Sequence, residues 1–177
     1  MKLVILDRDG TINHDSDQYI KSPAEWKPIK GSLEAIARLT QAGWRVVVAT
    51  NQSGLGRGLF DMAALNAIHD TMHRAVHQAG GRIDAIFFCP HAGDSNCDCR
   101  KPKPGMLLEI ARRMNVELDG VPMVGDSLRD LQAAAAAGAK PVLVLTGKGK
   151  KTRDAGGLPA GTAIFPTLAA FAAQYAP

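Results

Sequence analysis

The sequence predicts an α/β fold, a doubly wound and mainly parallel sheet with helices on both faces. Short β-branched runs alternate with segments of helical period along the chain, as in sheets built from right-handed crossovers. Clusters of polar residues fall directly after the apolar runs, where such sheets place their ligands. The chain has 177 residues, enough for one domain with a sizeable core, so 1–177 reads as a single domain.

The elements follow in order. Lys2–Leu6 is an apolar run that ends at Asp7, a buried-strand pattern. Between Ser32 and Ala42, apolar residues at 33, 36, 37 and 39 mark a helix stopped by Gly43. Arg45–Ala49 (RVVVA) is the second strand. Asp61 can cap a long helix with apolar positions at 65, 68, 72, 76 and 79. Ile83–Phe88 is the third strand, and Pro104–Met114 a helix with proline in its first turn. Val121–Val124 is the fourth strand, followed by an alanine-rich helix, Leu128–Ala137, closed by Gly138. Pro141–Leu145 is the fifth strand, and a last helix spans Thr167–Tyr175. On this plan Asp7 and Asp9 follow strand one, Thr50 and Asn51 strand two, Cys89 strand three, and Asp126 strand four. All four clusters face one edge of the sheet.

Composition narrows the function classes. Hydrophobic residues make up 46% and charged residues 21%, ordinary globular values. The net charge of +4 is concentrated in Arg100–Lys103 and Lys148–Arg153. Aromatics are only 5% and none is interleaved with those runs, which argues against a nucleic-acid partner. Lys148–Arg153 lacks the spacing of a phosphate loop and reads as a mobile basic loop. No apolar stretch approaches the ~20 residues of a membrane span, and the start, MKLVILDRDG, is too short for a signal-peptide core. A monomer without a membrane partner is expected.

All three cysteines lie in Cys89-Pro-His91-Ala-Gly-Asp-Ser-Asn-Cys97-Asp-Cys99. That is no disulfide framework, and it fits a reducing compartment, the cytoplasm. Three thiolates and one imidazole make a closed tetrahedral set of the structural Zn²⁺ type. Free thiols beside a loop are the alternative, but the segment is rich in Pro, Gly, Asp and Asn, unlike the surroundings of buried cysteine. A zinc loop over 89–99 would fix where Arg100 and Lys101 point, a dense positive pair suited to an anion.

Asp7-Arg8-Asp9-Gly10-Thr11 places two carboxylates at i and i+2 on a strand end. One can act as nucleophile while the other shuttles a proton; an acidic turn is the bland alternative. Asp126, in Gly125-Asp126, sits at another strand end. Asp7 and Asp126 would repel unless a cation lay between them, and oxygen-only ligands suit Mg²⁺. Asp126 could also be a helix N-cap. Thr50-Asn51-Gln52-Ser53 offers a hydroxyl and backbone N–H groups to phosphate oxygens, and Lys101 adds a fixed charge. His69, His73 and His77 recur every fourth residue beside the apolar stripe without acidic partners, and read as a solvated helix face.

The order D-x-D-G-T, a Thr after strand two, Lys in R-K-P-K-P, then G-D-x-x-x-D resembles the haloacid dehalogenase superfamily over about residues 3–146. The resemblance implies that Asp7 becomes an aspartyl-phosphate and that Asp9 protonates the leaving alkoxide, then activates water. It implies that Thr50 and Lys101 hold the phosphoryl oxygens, and that Mg²⁺ sits on the Asp7 carboxylate, the Asp9 backbone carbonyl and Asp126. Asp130 would orient Lys101 or a metal-bound water. No stretch is long enough for a cap domain, so loops Asn13–Lys30, Ser53–Phe60 and Ala92–Asp98 are expected to roof the site. Within the superfamily, DRDGTIN, TNQSG and CDCRKPKPGM are most similar to the heptose bisphosphate phosphatases, which act on a small sugar bisphosphate toward nucleotide-activated heptose for lipopolysaccharide core. Histidinol-phosphate phosphatases share the zinc loop and all four motifs, and polynucleotide 3′-phosphatases share two of them. The resemblance adds Arg8, Gly10, Asn13, Asp15, Asn51, Gln52, Ser53 and Arg100 as substrate contacts. Ser127 departs from the lysine often found after G-D in the family.

Overall fold

The computed structural model describes residues Met1–Pro177. Six strands, β1 (Lys2–Leu6), β2 (Trp44–Asn51), β3 (Ala85–Cys89), β4 (Pro122–Gly125), β5 (Lys140–Val144) and β6 (Ala163–Phe165), form one sheet in the order β3-β2-β1-β4-β5-β6. Every adjacent pair is parallel. The strand order reverses between β1 and β4, the switch point where parallel sheets open a crevice at their carboxyl ends.

Seven helices accompany the sheet: α1 (Ser32–Gln41), α2 (Ser53–Gly56), α3 (Met62–Gln78), α4 (Gly105–Met114), α5 (Leu128–Ala137), α6 (Gly149–Ala155) and α7 (Leu168–Tyr175). A short 3₁₀ turn spans Pro23–Glu25. The two-residue side-chain period of the strands divides the core. Val4, Leu6, Val46, Val48 and Val142 pack with residues of α1, α3 and α7 on one face. Leu3, Ile5, Val47, Ala49 and Met123 pack with residues of α4 and α5 on the other. At roughly 25 cal/mol per Å² of apolar surface, these buried faces supply the driving force for folding. Asp61 caps α3 by accepting from the Ala64 N–H at 2.9 Å, and Gly138 ends α5 with φ 79°.

Three local expectations are corrected. Lys148–Arg153 is not a loop: most of it forms α6, with the Thr152 hydroxyl donating to the Asp126 carbonyl at 2.7 Å. The third strand begins at Ala85 rather than Ile83, because the Asp84 side chain and backbone tie that end of the segment to Val46. His69 does not face solvent; it is buried, while His73 and His77 are exposed. No helix is long and apolar enough to cross a membrane.

Candidate active site

A cavity of about 310 Å³ opens at the carboxyl ends of the strands. Its floor carries Asp7, Thr50, Lys101, Asp126 and Asp130, all at most 8% exposed. The switch point supplies the central acids. The Asp7 N–H donates to the Val124 carbonyl at 2.8 Å, which continues the β1–β4 pairing, sets Asp7 opposite Gly125 and so brings its carboxylate near that of Asp126. Gly10 adopts φ 84°, and a Cβ there would fall on the Asp126 carboxylate, so only glycine lets the two strand ends approach.

Lys101 is the electrostatic keystone. Its Nζ donates to Asp7 Oδ1 at 2.9 Å, Asp130 Oδ1 at 2.6 Å and the Ala49 carbonyl at 2.7 Å. Burial works against the charge, but Asp130 and Asp7 outweigh it and raise the Lys101 pKa. Burial, then Asp130, pushes the Asp7 carboxyl well above its ordinary range, with Lys101 pulling it back. Burial, then Asp130, pushes Asp126 to about 7, against an N–H bond from Lys148. Asp7, Asp126 and Asp130 each bring a carboxylate oxygen within 4.8 Å of the others. Three carboxylates against one ammonium leave two negative charges in a buried, oxygen-only donor set, which fits a divalent cation of the hard type.

The remaining groups are held in place from several elements. The Asp9 carboxylate accepts from Asn13 Nδ2 at 2.9 Å and from Gln52 Nε2 at 3.2 Å. Gln52 also donates to Thr50 Oγ1 at 2.9 Å. Asn51 exchanges two bonds with the Lys101 backbone, at 3.0 and 3.1 Å, and so locks the end of the cysteine loop to β2. Ser127 donates its hydroxyl to Asp130 Oδ2 at 3.0 Å and steadies the carboxylate that holds Lys101.

Cys89, His91, Cys97 and Cys99 converge as a second donor set. Cys89 Sγ lies 3.5 Å from His91 Nδ1, 3.7 Å from Cys97 Sγ and 3.0 Å from Cys99 Sγ, and Cys99 Sγ lies 3.4 Å from His91 Nδ1. A tetrahedral ion with ordinary metal–sulfur and metal–nitrogen bonds needs edges of about 3.5–3.8 Å. Desolvation is outweighed at Cys97 by bonds from the Arg100 N–H and the neighbouring donors, which bring its thiol down to about 6. Burial, then Cys89, pushes Cys99 up to about 12. Burial and the neighbouring sulfur thus oppose charge on Cys99, an opposition that a cation held among the four donors would relieve.

A family profile described as HAD-hydrolase-like matches residues 98–171. The D-glycero-beta-D-manno-heptose-1,7-bisphosphate 7-phosphatase of Bordetella bronchiseptica is 67% identical over 174 residues, 98% of this chain and 97% of its own. The phosphatase of the same name from Pseudomonas aeruginosa is 56% identical over 170 residues, 96% and 95% of the two chains. This chain belongs to the heptose bisphosphate phosphatase family. The crystal structure of the B. bronchiseptica phosphatase, complexed with magnesium and phosphate, superposes with a TM-score of 0.98 at 66% identity, covering 99% of this chain and 98% of that one. The Burkholderia thailandensis family member gives a TM-score of 0.80 at 57% identity, with the same coverage.

Among the sequence-predicted residues, Asp7, Asp9, Asp15, Thr50, Asn51, Gln52, Ser53, Arg100, Lys101 and Asp126 line the cavity of this heptose bisphosphate phosphatase family member. Three predicted substrate contacts do not. Arg8 is wholly buried behind Asp9, Asn13 is buried with its amide on the Asp9 carboxylate, and Gly10 packs under Asp126. Two of the three expected roof loops line the cavity, one through Asp15, Ser16, Asp17, Tyr19 and Ile20 and the other through Ser53 and Arg57, whereas 92–98 do not. The cysteine loop reaches the site only through Arg100 and Lys101, because its tip turns away to close on its own donors. Arg57 and Arg129 are not among the candidate site residues of the sequence, and Lys148 reads there only as part of a basic loop, yet all three line the wall. Each lies one turn or less beyond a strand-end cluster or at the head of a helix, a placement that could have marked them.

Proposed function

We propose that this protein hydrolyses the C7 phosphate of D-glycero-D-manno-heptose 1,7-bisphosphate, releasing phosphate and leaving heptose 1-phosphate for nucleotide-activated heptose synthesis. The carrying observation is the convergence of four strand-end clusters on one buried Asp7–Lys101–Asp130–Asp126 floor. Near-full-length similarity to phosphatases named for that substrate supports the sugar.

The steps follow from these side chains. An Asp7 oxygen attacks phosphorus while the bond from phosphorus to the C7 oxygen breaks, and Asp9 gives its proton to the departing alkoxide. Asp9 then takes a proton from water, whose oxygen attacks the aspartyl-phosphate and frees Asp7. Dividing one displacement into two lowers each barrier. Thr50 and Lys101 hold the equatorial oxygens as charge spreads over them. Mg²⁺ held by Asp7, Asp126 and the Asp9 backbone carbonyl would neutralise the repulsion between carboxylate and phosphate. The cysteine–histidine set would hold Zn²⁺ as a structural ion that fixes the approach to Arg100 and Lys101. Free cysteines and a small-molecule substrate support a cytoplasmic location, and a monomer suffices for the site.

Charge at the wall favours a bisphosphate over a cationic substrate. Arg57, Arg100, Arg129 and Lys148 line the cavity beyond Lys101. Among the roof acids, Asp15 sits 3.4 Å from Lys148 Nζ. The test is phosphate release with Mg²⁺ from heptose 1,7-bisphosphate and from histidinol phosphate. A higher kcat/KM for the bisphosphate, with heptose 1-phosphate as product, is expected; preference for histidinol phosphate would overturn the substrate.

A further inference from the structure

The Asp9 carboxylate is held from behind by a buried chain that begins on α3. Arg8 has no exposed surface. Its Nε donates to Asp9 Oδ1 at 2.9 Å, its Nη2 lies 2.8 Å from the same oxygen, and its Nη1 is 3.1 Å from His69 Nε2. Arginine has no acceptor, so Nη1 donates, and Nε2 must carry the lone pair with the ring proton on Nδ1. Burial, then Arg8 itself, lowers His69 to about 4, so the ring stays a neutral acceptor in the working range. Asn13 Nδ2 adds a further bond to Asp9 Oδ1 at 2.9 Å. Oδ1 is therefore occupied by donors of the fold. Oδ2 accepts only from Gln52 Nε2, at 3.2 Å, and Asp9 lines the cavity.

We propose that His69 is a positioning residue for phosphoryl transfer: through Arg8 it fixes the Asp9 carboxylate so that Oδ2 is the oxygen that gives and takes the proton. This inference rests on the phosphatase reading above and adds a residue that touches neither substrate nor metal ligand. Without an acceptor at position 69, one guanidinium N–H is left buried and unpaired, and Arg8 shifts to seek another partner. The carboxylate it anchors shifts with it. Displacement of about 1 Å at a proton-transfer group costs on the order of 100-fold in rate.

The experiment compares His69→Leu, which removes the acceptor, with His69→Gln, which returns one, using heptose 1,7-bisphosphate and Mg²⁺. For His69→Leu the expected result is a kcat lower by roughly 10- to 100-fold with KM within about twofold, since only transition-state positioning is lost. His69→Gln is expected to recover most of that kcat. A His69→Leu kcat within threefold of wild type, or equal losses in the Leu and Gln variants, overturns the inference. Should His69→Leu fail to fold, His69→Asn, whose amide is one methylene too short to reach Arg8, replaces it in the same comparison. Wild-type release of phosphate with an unaffected His69→Leu sinks the positioning role alone; no release by wild type sinks the phosphatase reading as well.

Discussion

Replacing Lys101 by methionine keeps the length of the side chain and removes its charge and its three bonds. The structure sets the size of the loss. Asp130 is 1% exposed and Asp7 8%, so Asp130 is left almost without access to water and Asp7 meets it only through the cavity. The Ala49 carbonyl loses its donor as well. Breaking a buried ion pair from one side costs about 3–5 kcal/mol. Asp7 can relieve part of this by taking a proton, because burial and Asp130 already push its carboxyl up and Lys101 is the cation that opposes them. The lower end, ~3 kcal/mol at neutral pH, is expected. For a domain of this size that lowers Tm by roughly 6–12 °C. The sign with pH follows from proton binding: Asp7 in the folded variant holds its proton further above the unfolded value, so the variant loses stability as pH rises. The deficit should be small at pH 5 and large at pH 8. Added Mg²⁺ should restore part of it, and kcat should fall by about 100-fold or more. Thermal unfolding by circular dichroism, with and without Mg²⁺ at both pH values, reads all of this. A Tm within about 2 °C of wild type at pH 8 without Mg²⁺ would refute the reasoning.

Other outcomes follow from the same site. Asp7→Asn should abolish phosphate release, whereas Asp9→Asn should keep substrate affinity, by calorimetry, better than turnover; wild-type turnover by Asp7→Asn would remove it as nucleophile. Cys97→Ser should leave the purified protein with less than one zinc by metal analysis, with lower Tm and kcat, because the Arg100–Lys101 backbone loses its anchor; full zinc and full activity would contradict the loop's role. Asp126 is raised to about 7, so as a carboxylic acid it contributes stability to the metal-free protein at low pH that is lost as pH rises through that value. Mg²⁺ competes with that proton, so the Tm gain on adding Mg²⁺ should grow between pH 6 and pH 8; a gain independent of pH would exclude Asp126 as a ligand.

Much of the fold was legible because strand and helix periods alternate cleanly. The strand-end rule alone sent Asp7, Thr50, Cys89 and Asp126 to one edge. β6 was not legible: Ala163–Phe165 is three residues long, and only its pairing with Val142–Val144 makes it a strand. The helix over Gly149–Ala155 was hidden for a similar reason. Its basic, glycine-containing sequence has weak local preference, and Asp126 stabilises its first turn from outside through the Lys148 N–H and the Thr152 hydroxyl. His69 misled because its four-residue spacing from His73 suggested one shared face. Helix period cannot reveal that a buried guanidinium from the end of β1 arrives at one of them. The cysteine set was legible to the residue, but not the direction of its tip, which is a matter of tertiary closure.

The central claim is that phosphoryl transfer passes through Asp7, and stereochemistry at phosphorus tests it without requiring an intermediate to accumulate. Heptose 1,7-bisphosphate made chiral at the C7 phosphorus with sulfur and oxygen isotopes would be hydrolysed in isotopic water, and the configuration of the released thiophosphate determined. Two in-line displacements, first by Asp7 and then by water, predict overall retention. Inversion, the mark of a single attack by water, would contradict the account.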